Sequence, residues 1–140
     1  MSGLWRVLTI HVAARFAPAG TVELLCDDTL FHKSGRKVHG AGIFRDAVSS
    51  TIGRVVYAMG LNLVAIRVQP AWGGTPIAVP INVRLHKKKD TTTTVAHAAL
   101  MMHEIAGWLP GRELHLCADG AYASCRKSVK TLPSWGGRNR

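Results

Sequence analysis

The stretch TVELLCDDTLFHKSGRK (21–37) joins an apolar segment, two adjacent aspartates and a run of basic residues. Its first part, TVELLCDD (21–28), predicts a buried strand, because a short apolar run follows Gly20 and ends at carboxylates. A folded core gains nothing from Asp27 and Asp28 at that point. A site that holds a cation against a phosphate does gain from them, so the stretch predicts such a site.

A second predicted strand, ELHLCA (113–118), is also followed by an aspartate, Asp119. If this strand and 21–28 are parallel neighbours, both end at the same edge of the sheet, where open α/β sheets bind ligands. Asp28 and Asp119 then come within reach of one shared metal ion. The alternative role for such aspartates is structural, since they form turns and cap helices.

The segments around these strands predict an α/β fold, in which a mixed (α+β) sheet is flanked by helices. Residues 29–53 predict a long loop or irregular hairpin, and Pro80 places its strand at a sheet edge or bulge. Asp90 or a nearby threonine is expected to cap the central helix. The predicted elements are a helix in 7–20, strands at 21–28, 54–59, 61–69 and 77–85, a helix at 91–109, a strand at 113–118 and the start of a helix in 121–130.

Charge and composition point to a polyanionic partner. The 140 residues carry 18 Lys+Arg against 8 Asp+Glu, a net charge of +10, which favours nucleic acid over a merely solubilising surface. No apolar run reaches the length of a membrane span, and three cysteines without a C-x-x-C pair fit a reducing cytosol. The predicted DNA-binding residues are Lys33, Arg36, Lys37, His86, Lys87, Lys88 and Lys89.

The predicted metal is Mg²⁺ or Mn²⁺, because carboxylate oxygens are hard ligands. Two such ions about 3.5–4 Å apart can activate an attacking oxygen and stabilise the leaving oxygen of a phosphodiester. Strand alternation puts Asp28 on one face and Asp27 on the other, which leaves either as the ligand. The histidines predict no zinc site, since His97 and His103 do not share a helix face.

Four segments carry a resemblance to a known family: LLCDDTLFHKSGRKVHGAGIFRDAV (24–48), RVVYAMGLNLVAIRV (54–68), PINVRLHKK (80–88) and LHLCADGAYAS (114–124). Together they resemble DDE-superfamily transposases of bacterial insertion sequences, over about residues 21–124. The resemblance implies an RNase H-like fold and three carboxylates that bind two divalent ions. It also implies hydrolysis of DNA at the transposon ends, joining of the 3′ hydroxyl to target DNA, and self-association of the complete enzyme.

Carried onto this sequence, the first acid of the family matches Asp28, with Asp27 as the alternative, and the second matches Asp119. The family's third acid is a glutamate downstream of the second, and no Asp or Glu follows Asp119 here. Glu104 and Glu113 precede Asp119, so they are in the wrong order and are expected to be surface residues. The chain is therefore predicted to be a transposase fragment that is catalytically incompetent alone.

The predicted organisation is an N-terminal helix or remnant (1–20), an incomplete RNase H-like catalytic domain (21–130) and a disordered basic tail (131–140). The predicted location is the cytoplasm, in association with the nucleoid. Two alternatives remain open at this point. One is a catalytically inactive, basic DNA-binding remnant of the same fold, and the other is a basic structural protein without chemistry.

Overall fold

The computed structural model describes residues 2–33, 35, 37–68, 71–72, 75–119 and 122. The predicted α/β class is confirmed in its coarse form, as a mixed sheet with two helices. The elements are α1 (Ser2–Phe16), β1 (Val22–His32), β2 (Gly42–Arg45), β3 (Tyr57–Val68), β4 (Ala71–Trp72), β5 (Thr75–Pro76), β6 (Val79–His86), α2 (Thr94–Trp108) and β7 (Leu114–Ala118).

Strand β3 is the centre of a five-stranded sheet, and β4 and β5 form a separate two-stranded ribbon. On one side β3 pairs with β1, and on the other it pairs with β2 and β6, always antiparallel. Strand β7 lies outside β1 and pairs with it in parallel. Strands β1, β6 and β7 therefore run in one direction and end at one edge of the sheet, which we call the carboxyl rim (His32, His86 and Ala118 are its strand ends).

Strand β1 is longer than predicted, and this corrects the position of the two aspartates. Asp27 and Asp28 lie inside β1, because its pairing with β3 continues to His32 opposite Gly60. The pairing with β7 stops earlier, at Cys26 opposite Ala118. The ladder to β3 supplies the backbone hydrogen bonds that keep the chain extended past the carboxylates.

The prediction of two strands separated by Gly60 was wrong, because β3 runs through this position without a break. A Cβ atom on Gly60 would lie 2.2 Å from the carbonyl oxygen of Phe31 in β1. This glycine therefore marks a close approach of two backbones rather than a turn. The predicted loop at 29–53 also contains the end of β1 and the whole of β2.

The predictions for β6 and α2 are confirmed. Pro80 pairs with Arg67 where the register of β6 against β3 shifts, and within the described residues β3 is the one strand that pairs with β6. Helix α2 begins after Thr93, whose hydroxyl accepts a hydrogen bond from the backbone N–H of Ala96. A threonine is therefore the cap, as expected from the run of four.

Both helices pack on one face of the sheet and share a single core with it. The hydroxyl of Thr9 in α1 is buried and donates a hydrogen bond to the carbonyl of Ile81. The predicted boundary at residue 20 lies between α1 and β1, and both of these elements contribute to the same core. The buried apolar residues are Val12, Ala13, Val22, Leu24, Cys26, Val64, Ile66, Val68, Ile81, Ala98, Met101, Met102, Ile105, Leu109 and Tyr122.

In the described part of the chain, neither helix is long and apolar enough to cross a lipid bilayer. The predicted helix start in 121–130 lies outside the described residues apart from Tyr122, and so does the predicted tail at 131–140.

Candidate metal and DNA-binding site

The two aspartate-bearing strands are parallel neighbours, which is the condition that the sequence reasoning set for a shared site. Cys26 in β1 is opposite Ala118 in β7, so Asp119 follows the last residue pair and lies beside the Asp27–Asp28 segment at the carboxyl rim. Neighbouring strands lie about 4.8 Å apart. The fold therefore brings together two acidic positions that are far apart in sequence.

Tyr122 connects these two positions. Its hydroxyl donates a hydrogen bond to Oδ1 of Asp28 at 3.0 Å, and its backbone N–H donates to the carbonyl oxygen of Asp119 at 3.1 Å. Burial, followed by the negative charge of Asp28, raises the pKa of the Tyr122 phenol far above its ordinary value. The phenol therefore stays protonated and acts as a hydrogen-bond donor to Asp28.

The sequence analysis assigned no role to Tyr122. The available signal was its place three residues after Asp119 in the pattern D-G-x-Y, which lets one residue contact both the turn and the neighbouring strand. The hydroxyl of Thr94, the first residue of α2, also takes part in hydrogen bonding with the phenol. The start of α2 thus belongs to the same rim.

Asp28 and Asp27 lie on opposite faces of β1. Asp28 shares the face of the buried residues Leu24 and Cys26, on the side of the helices, and there it meets Tyr122. Asp27 lies on the other face, and its Oδ1 accepts a hydrogen bond from the backbone N–H of Asp28 at 2.8 Å. Tyr122, whose backbone is bonded to Asp119, therefore links the Asp119 turn to Asp28 and not to Asp27.

The carboxylates of Asp28 and Asp119 are hard oxygen donors, the kind of ligand that Mg²⁺ and Mn²⁺ prefer. Both aspartate side chains are exposed, and Mg²⁺ is commonly held by one or two carboxylates with water and phosphate in its remaining positions. Glu113 accepts a hydrogen bond from the Thr21 hydroxyl at the opposite edge of the sheet. Asp27, Asp28 and Asp119 are thus the carboxylates that directly follow the last β1–β7 residue pair.

Glu104 is not the surface residue that the sequence analysis expected. Its carboxylate is half-buried, pairs with Arg84 and accepts a hydrogen bond from the Asn82 side-chain amide at 2.9 Å. These contacts attach α2 to β6, two strands away from β1. Glu104 therefore has a structural role that its place in the sequence did not reveal.

Basic side chains lie along the same rim as the two aspartates. Lys33 and Lys37 are exposed beyond the end of β1, and Arg36 lies outside the described residues. Residues 87–89 follow the end of β6 in a tight turn, which the hydrogen bond from the Asp90 backbone N–H to the Lys87 carbonyl closes at 3.0 Å. The ends of β1 and β6 therefore both carry lysines, and Asp28 lies four residues before the end of β1.

His86 differs from the other predicted DNA-binding residues. Its ring packs against Phe44 and His97, with ring centroids 6.0 and 5.6 Å apart, and its Nδ1 atom is buried. The side chain therefore lies on the helix side of β6 and not with the exposed lysines that follow it. Burial, followed by the charges of His86 and Arg84, lowers the pKa of His97, which keeps that ring neutral.

The structure brings His86, Asp90 and His97 together, a group that the sequence analysis did not recognise. Histidines that share a helix face are a local pattern, whereas in this group His86 comes from a strand end and His97 from the next helix. The signal was the spacing H-x₃-D-x₆-H across a strand end, a short turn and a helix start.

Comparisons of the chain with protein families, with curated proteins and with solved structures give no match. The resemblance to transposases therefore remains a prediction, and the functional argument rests on the geometry of the carboxyl rim.

Proposed function

We propose that the chain is the metal-binding core of a DDE-type transposase, with an RNase H-like sheet and with Asp28 and Asp119 as ligands of one Mg²⁺ or Mn²⁺ ion. The observation that carries this proposal is the parallel pairing of β1 with β7, which leaves Asp119 beside the Asp28 segment. An RNase H-like site needs its acidic strands to be neighbours that end at one edge. The pairing meets that need.

Tyr122 supports the proposal by positioning the first ligand. Its phenol holds Oδ1 of Asp28, and its backbone is bonded to Asp119. A carboxylate that is fixed by a neighbouring donor loses less freedom when it binds an ion, because its orientation is already set. In this proposal Tyr122 is a positioning residue, and the two aspartates contact the metal.

The substrate in this proposal is DNA, whose backbone would lie along the carboxyl rim. The exposed Lys33 and Lys37 follow the end of β1, and Lys87, Lys88 and Lys89 follow the end of β6, on the other side of β3. Each lysine that neutralises a phosphate releases a condensed counterion and so strengthens binding at low salt. When bound, the divalent ion would polarise the phosphodiester and assist its attack by an oxygen nucleophile.

A specific observation favours a second candidate function, a DNA-binding protein of the same fold without catalysis. The family's third acid is a glutamate downstream of the second, and no Asp or Glu follows Asp119 in this sequence to match it. The basic residues would then bind DNA through phosphate contacts alone.

DNA binding with and without Mg²⁺ tests the first proposal against the second. The anisotropy of a fluorescent duplex is measured against the wild-type chain and Asp119→Asn, at fixed ionic strength. If Asp28 and Asp119 share an ion that also contacts phosphate, Mg²⁺ tightens binding to the wild type and not to the variant. The catalytic step is measured separately, as Mn²⁺-dependent nicking of supercoiled plasmid that Asp119→Asn abolishes.

The outcomes separate the candidates. The shared metal site is contradicted if Mg²⁺ leaves DNA binding unchanged, or weakens it equally in the wild type and the variant. Salt-sensitive binding of that kind supports the non-catalytic candidate. A chain that does not bind DNA at low salt contradicts both.

A further inference from the structure

A second group of possible metal ligands lies between the end of β6 and the start of α2. His86 is the last residue of β6, Asp90 follows the lysine turn, and His97 lies in the first turn of α2. One ligand atom from each of these residues lies within 4.8 Å of the other two. We name the three residues the β6–α2 cluster.

Three of the four imidazole nitrogens of this cluster are buried without a hydrogen-bond partner. His97 is only 9% exposed, and both its ring nitrogens are buried without a hydrogen bond, as is Nδ1 of His86. The Nε2 atom of His97 is 4.0 Å from Oδ2 of Asp90, which is too far for a hydrogen bond. Buried polar atoms in folded proteins nearly always have a partner, so these nitrogens point to a group that binds between them.

We propose that His86, Asp90 and His97 bind a divalent transition-metal ion, with Zn²⁺ as the best-matched ion. Imidazole nitrogens suit zinc, whereas Mg²⁺ prefers an all-oxygen shell. Two imidazoles and one carboxylate are a common protein ligand set for zinc, and they leave a fourth tetrahedral position for water or an outside ligand. The proposal is independent of the metal ion at Asp28 and Asp119.

The arrangement needs little movement to accept the ion. Ligands at about 2.0–2.1 Å from a tetrahedral zinc lie about 3.4 Å from one another, so the three atoms must approach by roughly 1 Å. Asp90 is exposed at the end of the lysine turn, and its Oδ2, which accepts a hydrogen bond from the Lys87 backbone N–H at 3.0 Å, keeps a lone pair for an ion. Phe44 packs against the His86 ring. Arg84 would repel a cation, but its charge is offset by its ion pair with Glu104.

The β6–α2 cluster is separate from the aspartate pair of the proposed function. Strand β3 lies between β6 and β1, so the cluster and Asp28 belong to different strands that are not neighbours. A third group, formed by Glu23, His115 and Cys117, is exposed throughout. In that group Nδ1 of His115 is already bonded to Glu23 at 2.9 Å. This exposed group therefore lacks buried nitrogens without partners, and it serves as a control.

Cobalt titration of the full, chelator-treated chain tests the proposal. Co²⁺ in a tetrahedral site gives visible absorption bands, and Zn²⁺ should displace it at one ion per chain. Asp90→Asn and His97→Gln should each weaken Co²⁺ binding by at least about tenfold. The double variant His115→Gln/Cys117→Ser and the exposed-helix variant His103→Gln should bind as the wild type does.

A second measurement covers the case in which His97→Gln, a buried change, does not fold. Zn²⁺ should raise the melting temperature of the wild type, because it binds the folded chain, and should have a much smaller effect on the exposed-turn variant Asp90→Asn. The proposal is overturned if the wild type binds no Co²⁺. It is also overturned if binding survives in Asp90→Asn and is lost in His115→Gln/Cys117→Ser.

Discussion

At Gly60 the backbones of β3 and β1 approach each other closely, and the missing side chain is what permits that approach. An added Cβ would lie 2.2 Å from the Phe31 carbonyl oxygen, a backbone atom that the β1–β3 ladder holds in place. We therefore expect Gly60→Ala to lower the free energy of unfolding by about 1–3 kcal/mol, as measured by urea denaturation. The matched control is Gly107→Ala in α2, where a Cβ meets no atom within 4 Å. That change should leave stability unchanged or raise it by up to about 1 kcal/mol. Equal effects of the two variants would contradict this account of Gly60.

Tyr122 makes a second prediction at the residue scale. Tyr122→Phe keeps the buried ring and removes the hydrogen bond to Asp28, so it should cost about 1 kcal/mol of folding free energy. It should also weaken Mn²⁺ binding, because the phenol no longer orients the Asp28 carboxylate. The control is Tyr57→Phe, whose ring is 64% exposed. Unchanged or tighter Mn²⁺ binding in Tyr122→Phe would contradict the positioning role and would mean that the phenol competes with the ion.

At the scale of elements, the connection from β2 to β3 depends on the Asp46 carboxylate. Oδ1 of Asp46 accepts backbone hydrogen bonds from Val48 at 3.0 Å and Ser49 at 3.1 Å, and Oδ2 accepts from the Ser49 hydroxyl at 2.8 Å. Oδ2 also lies 3.0 Å from Nε2 of His32 at the end of β1. The Ser49 hydroxyl is the largest cause of the lowered pKa of Asp46.

This arrangement predicts a pH dependence. A folded-state pKa below the ordinary 3.8 means that the unfolded chain takes up the proton first. The stabilisation is therefore complete well above pH 3.8 and is lost as the pH falls below that value and through the lower folded-state pKa. Ser49→Ala should raise the pKa of Asp46 in an NMR titration, whereas Ser50→Ala, which leaves the donors to the carboxylate intact, should not. An unchanged pKa in Ser49→Ala would contradict the assignment.

The sequence predicted elements better than it predicted their ends. Helix α2 and the edge position of β6 followed from apolar spacing and from Pro80, which are local signals. The parallel pairing of β1 and β7 was considered because β1 contains two aspartates and β7 is followed by a third. Gly60 was misread because a glycine at a turn and a glycine at a close backbone contact look alike in sequence.

The two candidate sites differed in how far the sequence could predict them. Asp28 and Asp119 could be placed at neighbouring positions from the sequence, on the condition that their strands are parallel neighbours. The group of His86, Asp90 and His97 could not, because it depends on how α2 packs against β6. Tyr122 was missed for the same reason, since its contact with Asp28 spans 94 positions.

At the scale of the whole molecule, the net charge of +10 matters through its placement. Lys89 lies at the carboxyl rim, whereas Arg15 lies near the end of α1, close to where β1 begins at the opposite edge. Lys89→Gln should reduce the slope of log affinity against log salt for duplex DNA by about 0.9. Arg15→Gln removes the same charge and should leave the slope unchanged. Equal reductions would mean that DNA binding follows net charge and not the rim.

The most direct test of the central claim is a Mn²⁺ titration followed by electron paramagnetic resonance on four proteins: wild type, Asp27→Asn, Asp28→Asn and Asp119→Asn. Asp27→Asn is the matched control, because it removes a charge one residue away on the other face of β1. The account predicts that the wild type and Asp27→Asn bind one ion at this site. Asp28→Asn and Asp119→Asn should each fail to bind it. Retention of that ion in both Asp28→Asn and Asp119→Asn would contradict a metal site shared between β1 and β7.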